Sequence, residues 1–590
     1  MSSYTWSLRP SPQASEIEAW QPRVSPLVAT LLWQRGIRSF EEADMFLSPS
    51  WETQVHDPSQ FRHLVPAMNR VFLALEAGDL ITVHGDYDAD GITGSTVLIS
   101  TLREIERRLT SRTGQDSVID YYIPHRDKEG YGIHKATIAK LKERGTKVLI
   151  TVDCGISCVD EVALARQADM DVIVVDHHQF GDILPDGWLI HPGLPEETYP
   201  FKKLAAVGVA FKFATALLDE ARRRGLEIPV GWEKWLLDLV AIATITDVVP
   251  LIGENRLLET YGLRVLNKTR RPGLLALIDA AGLVPGSIDT ESIGFAIGPR
   301  INAAGRMDHA SLALRLLLAE SQEEATTLAT ELERCNRERQ EATRRMMDQA
   351  EKQLLERYSI SELDKADKSA LFLWDENWSP ALVGLVAGRF LERFARPTVV
   401  VGSHEGTWIG SGRSTAAYDI TVAMRTAGGD RLTRIGGHIQ ACGFALADPE
   451  HLPKIAEDLH AHAAAAFEGG LPTPTLLIDA DLSLNQATEA FVDEVKRLEP
   501  FGEGNAKPLF RSNNLLVTKA DAIGSTQAHL RLTVADGGVM RKVIGFKLGG
   551  RLSELRVGAR VDLVYHVGMN EWNGRKDVQL VMKDFEVQLD

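Results

Sequence analysis

The densest group of chemically capable side chains in this sequence is His84-Gly85-Asp86-Tyr87-Asp88-Ala89-Asp90-Gly91, directly after the apolar run LITV. Three carboxylates in five residues repel one another when packed at the end of a strand, and a cation is the simplest way to hold them together. A solvated acidic turn is the plainer alternative for this string alone. The string also matches the first half of a calcium EF-hand loop, D-x-D-x-D-G, but that reading fails. Loop position twelve, counted from Asp86, is Val97 instead of the required Glu, and an expected strand precedes the loop where a helix should.

Two further strand-like runs end the same way. KVLITV runs into Asp153-Cys154-Gly155, and VIVV runs into Asp176-His177-His178. A fourth apolar run, LVAIATIT, stops at Asp247. Any one of these aspartates reads more readily as a turn former or a helix N-cap. Four together are what a site at the carboxyl edge of a doubly wound sheet would leave in a sequence. Mixed carboxylate and imidazole donors suit Mn²⁺ better than Ca²⁺, with Mg²⁺ admitted where waters complete its octahedron. So many acids can hold two ions about 3.5–4 Å apart, an arrangement that serves phosphoester hydrolysis by lowering the pKa of a bound water. His178 would then be free to contact the scissile phosphate. Cys154 and Cys158 lie four apart among apolar neighbours, which favours a core role over zinc.

The elements that must position these groups follow from the pattern around them. From Leu80 onward, β-branched runs alternate with helix-like stretches, predicting a parallel α/β sheet buried on both faces. The region 251–367 reads as a helical connector ending in a long helix, opened by the capping-box pattern Ser321-Gln322-Glu323-Glu324. A second α/β piece spans 368–468, and after the linker-like EGGLPTP the region 469–590 carries several short strands that suggest a small barrel. The Pro-rich opening, 1–60, reads as a cap or arm, leaving 61–250 as the site-bearing domain. A length of 590 residues fits several domains. Lys+Arg 65 against Asp+Glu 81 gives a net charge of −16, which excludes nucleic-acid binding by a global positive field. Four scattered cysteines do not form a disulfide framework. MSSYTWSLRPSPQ lacks the features of a secretory signal, and the most apolar stretch, Trp235 to Ile252, is broken by Asp238 and Asp247; a cytoplasmic chain without a membrane span is expected.

In that order, GDYDADG, TVDCG, DHH and TDVVP resemble the four motifs of the DHH phosphoesterase superfamily. YIPHRDKEGYG, GPRINAAGR, GSGRS, GGHIQACG and LEPFGEGN make the chain most similar to the superfamily's single-strand-specific 5′ to 3′ DNA exonucleases. The resemblance implies an α/β fold: a DHH phosphoesterase parallel-sheet domain and a DHH-associated α/β domain joined by a long helix, with a C-terminal all-β oligonucleotide-binding barrel. It implies metal binding by Asp88, Asp90, Asp153, His177 and Asp247, with His178, Asp153, Asp88 and Asp90 as the catalytic group. The spacing of His84 to Asp88 and Asp90 is similar to H-x-x-x-D-x-D of smaller relatives and adds it to the metal set. Ser411 and Arg413, with Arg306, match the family's pocket for a 5′-phosphate, and Arg126 and His438 are assigned to DNA or phosphate contact. Trp378-Ser379-Pro380-Ala381 stands where the family has W-H-x-G, and Ala506 replaces a proline after GEGN.

The expected activity is hydrolysis of single-stranded DNA to 5′-mononucleotides in repair and recombination, using Mn²⁺ or Mg²⁺ as a pair of ions. Expected partners are single-stranded DNA, a single-strand-binding protein and a helicase, with no membrane and a monomeric chain. The alternatives are a DHH-type hydrolase of short oligonucleotides or cyclic dinucleotides, and a non-catalytic replication scaffold. Arg334, Arg337, Arg344 and Arg345 share an arc of the long helix with Glu338 and Glu341, so paired side chains on a solvated face are expected there, not a DNA track.

Overall fold

β-branched residues crowd the segments that take extended backbone, and the polar residues after each run fall where the strand stops. The computed structural model describes residues 4–20, 23–113, 118–357, 369–468, 470–471, 473–572 and 575–588. The chain forms two units, Met1–Gln54 with Pro250–Gly253 and Thr473–Asp590, and Val55–Val249 with Glu254–Pro472. The first opens with strand β1 (Thr5–Leu8) and short helices, among them Pro26–Gln34 and Phe40–Leu47.

The second unit carries two sheets. In the first, β2 (Leu80–Gly85), β3 (Ile119–Tyr122), β4 (Thr146–Val152), β5 (Asp171–Val175) and β6 (Trp188–Ile190) are all parallel in the order β3-β2-β4-β5-β6. The chain leaves β2 toward β3 on one side and returns as β4 on the other, so β2 and β4 flank a topological switch point. Ligands bind outside the carboxyl ends of strands at such a point. Helices α1 (Ala89–Thr113) and α2 (Ala206–Arg223) pack on one another beside this sheet.

LVAIATIT departs from the expectation: it lies within helix α3 (Leu237–Thr246), and Asp247 follows as its C-cap. Every residue from Leu237 to Thr244 is buried. A helix buried all round carries no polar face, so an apolar run of this length has no periodicity to tell it from a buried strand. Further helices follow, among them α4 (Gly298–Met307) and the 36-residue α5 (Gln322–Arg357), roughly 54 Å long. Ser321 Oγ accepts the Glu324 N–H at 3.2 Å, as the capping pattern predicts. The expected end of the connector at 367 lies outside the described residues. On α5, Arg334 pairs with Glu338 at 2.6 Å and Arg345 with Glu341 at 3.9 Å.

The second sheet comprises β7 (Leu371–Trp374), β8 (Thr398–His404), β9 (Thr407–Arg413), β10 (Arg434–His438) and β11 (Ala441–Leu446), in the order β10-β11-β9-β8-β7, with only β7 and β8 parallel. Helix α6 (Pro380–Phe394) packs on β8 and β9. In the other unit, β12 (Thr475–Ile478) lies parallel beside β1, and β13 (Ala480–Asp481) beside β14 (Phe510–Ile523). β14, β15 (His529–Asp536), β16 (Val539–Gly545), β18 (Arg575–Val587) and β17 (Arg560–Trp572) close a five-stranded barrel, β17 returning to β14. This is the strand order of an oligonucleotide-binding fold. Trp20, Val28, Leu31 and Leu32 from the opening helices share one apolar core with Phe510, Leu530, Leu563 and Phe585 of the barrel. No helix among the described residues is long and apolar enough to cross a membrane.

A buried ion pair ties α2 to the helical region after it. Lys212 and Glu254, each 1% exposed, are in direct contact. Glu254 also accepts from the Tyr199 hydroxyl and, at 3.0 Å, the His56 N–H. Removing one partner leaves a buried charge uncompensated, so Lys212→Ala is expected to lower unfolding free energy by about 3–5 kcal/mol. Denaturant titration reads this, and a loss below about 1 kcal/mol would show that water reaches the site.

Candidate metal centre and phosphate pocket

The acidic loop begins where β2 runs out. Asp86 donates its N–H to the Val152 carbonyl of the neighbouring β4 at 3.2 Å, bringing the 86–90 loop against Asp153. Asp88 caps α1, its Oδ1 accepting the N–H groups of Asp90 at 3.0 Å and Gly91 at 3.2 Å. A Cβ on Gly91 would stand 2.6–2.7 Å from Asp86, which explains the glycine closing DADG. Asp90 lies across the start of α2, its oxygens accepting from Ala206 N–H at 2.7 Å and Val207 N–H at 2.8 Å. The positive end of a helix favours such an anion. Asp153 has a left-handed backbone, φ 63°, and its carbonyl accepts the Tyr131 hydroxyl at 3.0 Å.

These loops converge on His177. Its Nε2 is 3.4 Å from Asp153 Oδ1, 3.5 Å from Asp247 Oδ2 and 3.8 Å from Asp90 Oδ2. Three overlapping groups have donor atoms within 4.8 Å of one another: Asp90, His177 and Asp247; Asp153, His177 and His178; Asp86, Asp88 and Asp153. His177 Nε2, Asp153 Oδ1 and Asp86 Oδ1 are buried without a hydrogen-bond partner. Unsatisfied lone pairs on imidazole nitrogen and carboxylate oxygens are what divalent cations bind, so the residues fit Mn²⁺ or Mg²⁺. Burial and the adjacent Asp88 push Asp90 up to about 7, and burial with Asp90 and Asp88 pushes Asp247 up to about 9. Asp153 and Asp86 are likewise raised well above the usual carboxylate range, by burial first and then by neighbouring carboxylates. Burial and the His178 cation hold His177 down at about 4, a neutral ligand.

His178 behaves differently. Its Nδ1 is 2.9 Å from Asp176 Oδ1; burial opposes its charge, but that hydrogen bond together with the charges of Asp176, Asp247 and Asp90 raises the imidazole to about 9. Asp176, fully buried, also accepts the N–H groups of Ile156, His177 and His178, which with the ring hold it below the usual range against its burial. Tyr131 Oη lies 3.2 Å from the same ring nitrogen. The structure does not bring His84 into any of the three groups. Its ring is fully buried, stacked 5.5 Å from Tyr122, with Nδ1 3.6 Å from Cys154 Sγ, and burial holds it neutral at about 4. Cys154 is a buried free thiol.

Beside the acids lies a group of arginines. Arg126 stands 4.8 Å over the Tyr87 ring, within the acidic loop itself. Arg306, on α4, donates to the Ala381 carbonyl at the start of α6. Its pKa falls to about 9 through burial and the like charges of Arg126 and Arg339. Arg413 donates to Ser411 Oγ at 2.7 Å and is lowered by burial and by Arg126. A Cβ on Gly384 would lie 2.9 Å from Arg413 Nη2 and 3.2 Å from Ser411 Oγ, so a side chain there would displace the guanidinium from its present place. Among the described residues none of Arg126, Arg306 and Arg413 has a carboxylate within 4 Å, an arrangement suited to a phosphate. His438 lies exposed at the end of β10.

Sequence reasoning placed Asp86 and Asp176 at the site's edge without a role for either, and it missed Tyr131 and Asn302, whose Oδ1 receives the Ala89 N–H at 2.8 Å. Tyr131 and Asn302 stand inside the strings EGYG and INAAGR, but no spacing rule says what they touch. Residues 80–244 match the DHH family, N-terminal domain, residues 367–465 the DHHA1 domain, and residues 478–584 the RecJ OB domain. The chain is 35% identical to the single-stranded-DNA-specific exonuclease RecJ of Bacillus subtilis, over 99% of this chain and 71% of the relative. It is 31% identical to that of Salmonella typhimurium, over 98% of each. The crystal structure of RecJ from Thermus thermophilus in complex with Mn²⁺ superposes with a TM-score of 0.79 at 31% identity, covering 100% of this chain and 80% of that one. The two lobes and the closed barrel are thus shared along nearly the whole chain, which belongs to the RecJ family of single-stranded-DNA-specific exonucleases.

Proposed function

We propose that this chain is a metal-dependent 5′ to 3′ exonuclease that releases 5′-mononucleotides from single-stranded DNA in repair and recombination. The observation that carries the reading is the juxtaposition, across Tyr87, of the acid and imidazole groups with three arginines that, among the described residues, have no carboxylate within 4 Å. Asp88, Asp90, Asp153, His177 and Asp247 would hold the ions, with Asp86 beside them and His84 outside the set. When bound, a Mn²⁺ or Mg²⁺ pair supplies Lewis acidity and an activated water for in-line displacement at phosphorus. Asp176 keeps His178 protonated at neutral pH, so His178 presents a positive charge to the scissile phosphate and stabilises charge as it develops. Arg126, Arg306 and the Ser411-Arg413 pair would bind the 5′-terminal phosphate and so set polarity. His438 is assigned to the DNA strand, and the barrel to the strand beyond the site. A cytoplasmic monomer recruited by a single-strand-binding protein and a helicase completes the reading.

Digestion of a long single strand with Mn²⁺, labelled at the 5′ end in one sample and the 3′ end in another, is expected to release labelled mononucleotide at once only from the 5′ end. Intact long strands with rapid cleavage of dinucleotides would move the chain to the small-substrate hydrolases. Asp153→Ala is expected to lower turnover by about a thousandfold or more while leaving single-strand binding in place. Near-normal turnover by this variant would remove Asp153 from the metal set.

Asp90 and Asp247 hold protons in the fold up to about pH 7 and 9, whereas unfolded aspartates lose theirs near pH 4. The folded metal-free chain therefore binds more protons than the unfolded one between these limits, and its stability falls as pH rises through them. Melting temperature without metal should decline from pH 5 to pH 9, and Mn²⁺ should restore most of the loss at pH 9. A flat metal-free profile would refute the buried-acid account.

A further inference from the structure

A cavity of about 560 Å³ lies in the same unit as the metal centre, and the proposed reaction makes no use of it. It is lined by Ser100, Arg103, Glu104 and Arg107 of α1, by Trp232, Trp235 and Asp238, and by the segments 270–272 and 318–320. Asp90 and Arg103 are thirteen residues apart on α1, a rise of roughly 20 Å, so the cavity is a separate site. It nevertheless touches two helices that also reach the metal centre: α1, with Asp90 in its first turn and Arg103 midway along it, and α3, with Asp238 in its first turn and Asp247 as its C-cap.

The charges of the lining do not cancel locally. Arg107 and Arg108 both pair with Glu104, at 2.7 and 2.9 Å. Asp238 accepts from Thr269 Oγ1 and the Leu239 N–H, each at 2.8 Å. Arg271 Nε lies 3.7 Å from Asp238, too far for a hydrogen bond, and is buried without one. Arg103 and Arg270 have no carboxylate within 4 Å among the described residues, and the acids of the lining are Glu104, Asp238 and Glu320. Arg270 sits over one face of the Trp235 indole, 4.8 Å from its centroid, and that indole is 40% exposed. Four arginines and two tryptophans thus line one opening in a chain of net charge −16.

We propose that this cavity is a second nucleotide site, binding a nucleoside 5′-phosphate with its base against Trp235 and its phosphate between Arg103 and Arg270. An indole gives any base a stacking face, and guanidinium forks match phosphate oxygens, so a flat ring carrying an anion meets both features at once. The volume suits a single nucleotide and excludes a duplex. The choice of a 5′-mononucleotide rests on the activity proposed above; the stacking and charge do not.

The test is titration of the metal-free full chain with dAMP and with dGMP, followed by tryptophan fluorescence and calorimetry. Saturable quenching is expected, weakened at least about tenfold in both Trp235→Leu and Arg103→Gln/Arg270→Gln and unchanged in Arg413→Ala. Arg103 and Arg270 are exposed, and all variants are checked for a native melt and for exonuclease turnover on single-stranded DNA. No saturable binding up to millimolar nucleotide, binding unaltered by the double substitution, or binding abolished by Arg413→Ala would each overturn the site. Saturable quenching by an acidic aromatic peptide, with none by nucleotide, would overturn it in favour of a protein partner. Turnover lost in the wild-type chain while quenching persists would instead count against the exonuclease reading.

Discussion

Mutual repulsion among buried carboxylates is the constraint around which the catalytic unit is built. Asp86, Asp90 and Asp153 are each at most 3% exposed, and Asp88 and Asp247 stand close enough to raise their pKa values further. Left unpaired, such groups take up protons or force the loops apart. The fold resists through main-chain donors. The start of α1 holds Asp88, the start of α2 holds Asp90, and the left-handed Asp153 is fixed through its carbonyl. Each acid is pinned by a different element, so the positions of the oxygens are set before an ion arrives, and the burial that disfavours their charge favours a divalent cation instead.

The two histidines of one dipeptide illustrate how local contacts divide the work. His177 faces three acids yet is neutral, because burial and its neighbour's charge oppose protonation. His178 is charged, because Asp176 is itself stabilised by three backbone N–H groups and binds its ring. A neutral donor and a fixed cation thus stand side by side, one suited to an ion and the other to a phosphate.

Much of this arrangement is legible in the sequence, for a physical reason. Parallel strands buried on both faces leave their polar residues at the ends, so the order of apolar runs and acids alone assigns Asp86 to Asp90, Asp153, His177 and His178 to a shared edge. Asp247 is found through the same pattern although its run is a helix, since a fully buried segment of either type is uniformly apolar. Side-chain direction is not legible. His84 stands at the right strand end but turns its ring to Tyr122 and Cys154, and Asp176 looks like one more acid until its hydrogen bonds are seen. Arg126, Arg306 and Arg413 come from three distant segments, and in the sequence only the family resemblance joins them. The barrel can be read from its short strands, but not that the opening helices share its core.

That shared core bears on how the chain is made. Trp20, Val28, Leu31 and Leu32 leave the ribosome roughly four hundred and eighty residues before the barrel that buries them begins at Phe510. During translation the catalytic unit can complete its fold while this apolar segment still lacks its partner, leaving a hydrophobic patch for chaperones to shield. A fragment trimmed of the barrel alone would retain that patch permanently, so an excised catalytic unit would keep its solubility only if both ends of the chain were removed together.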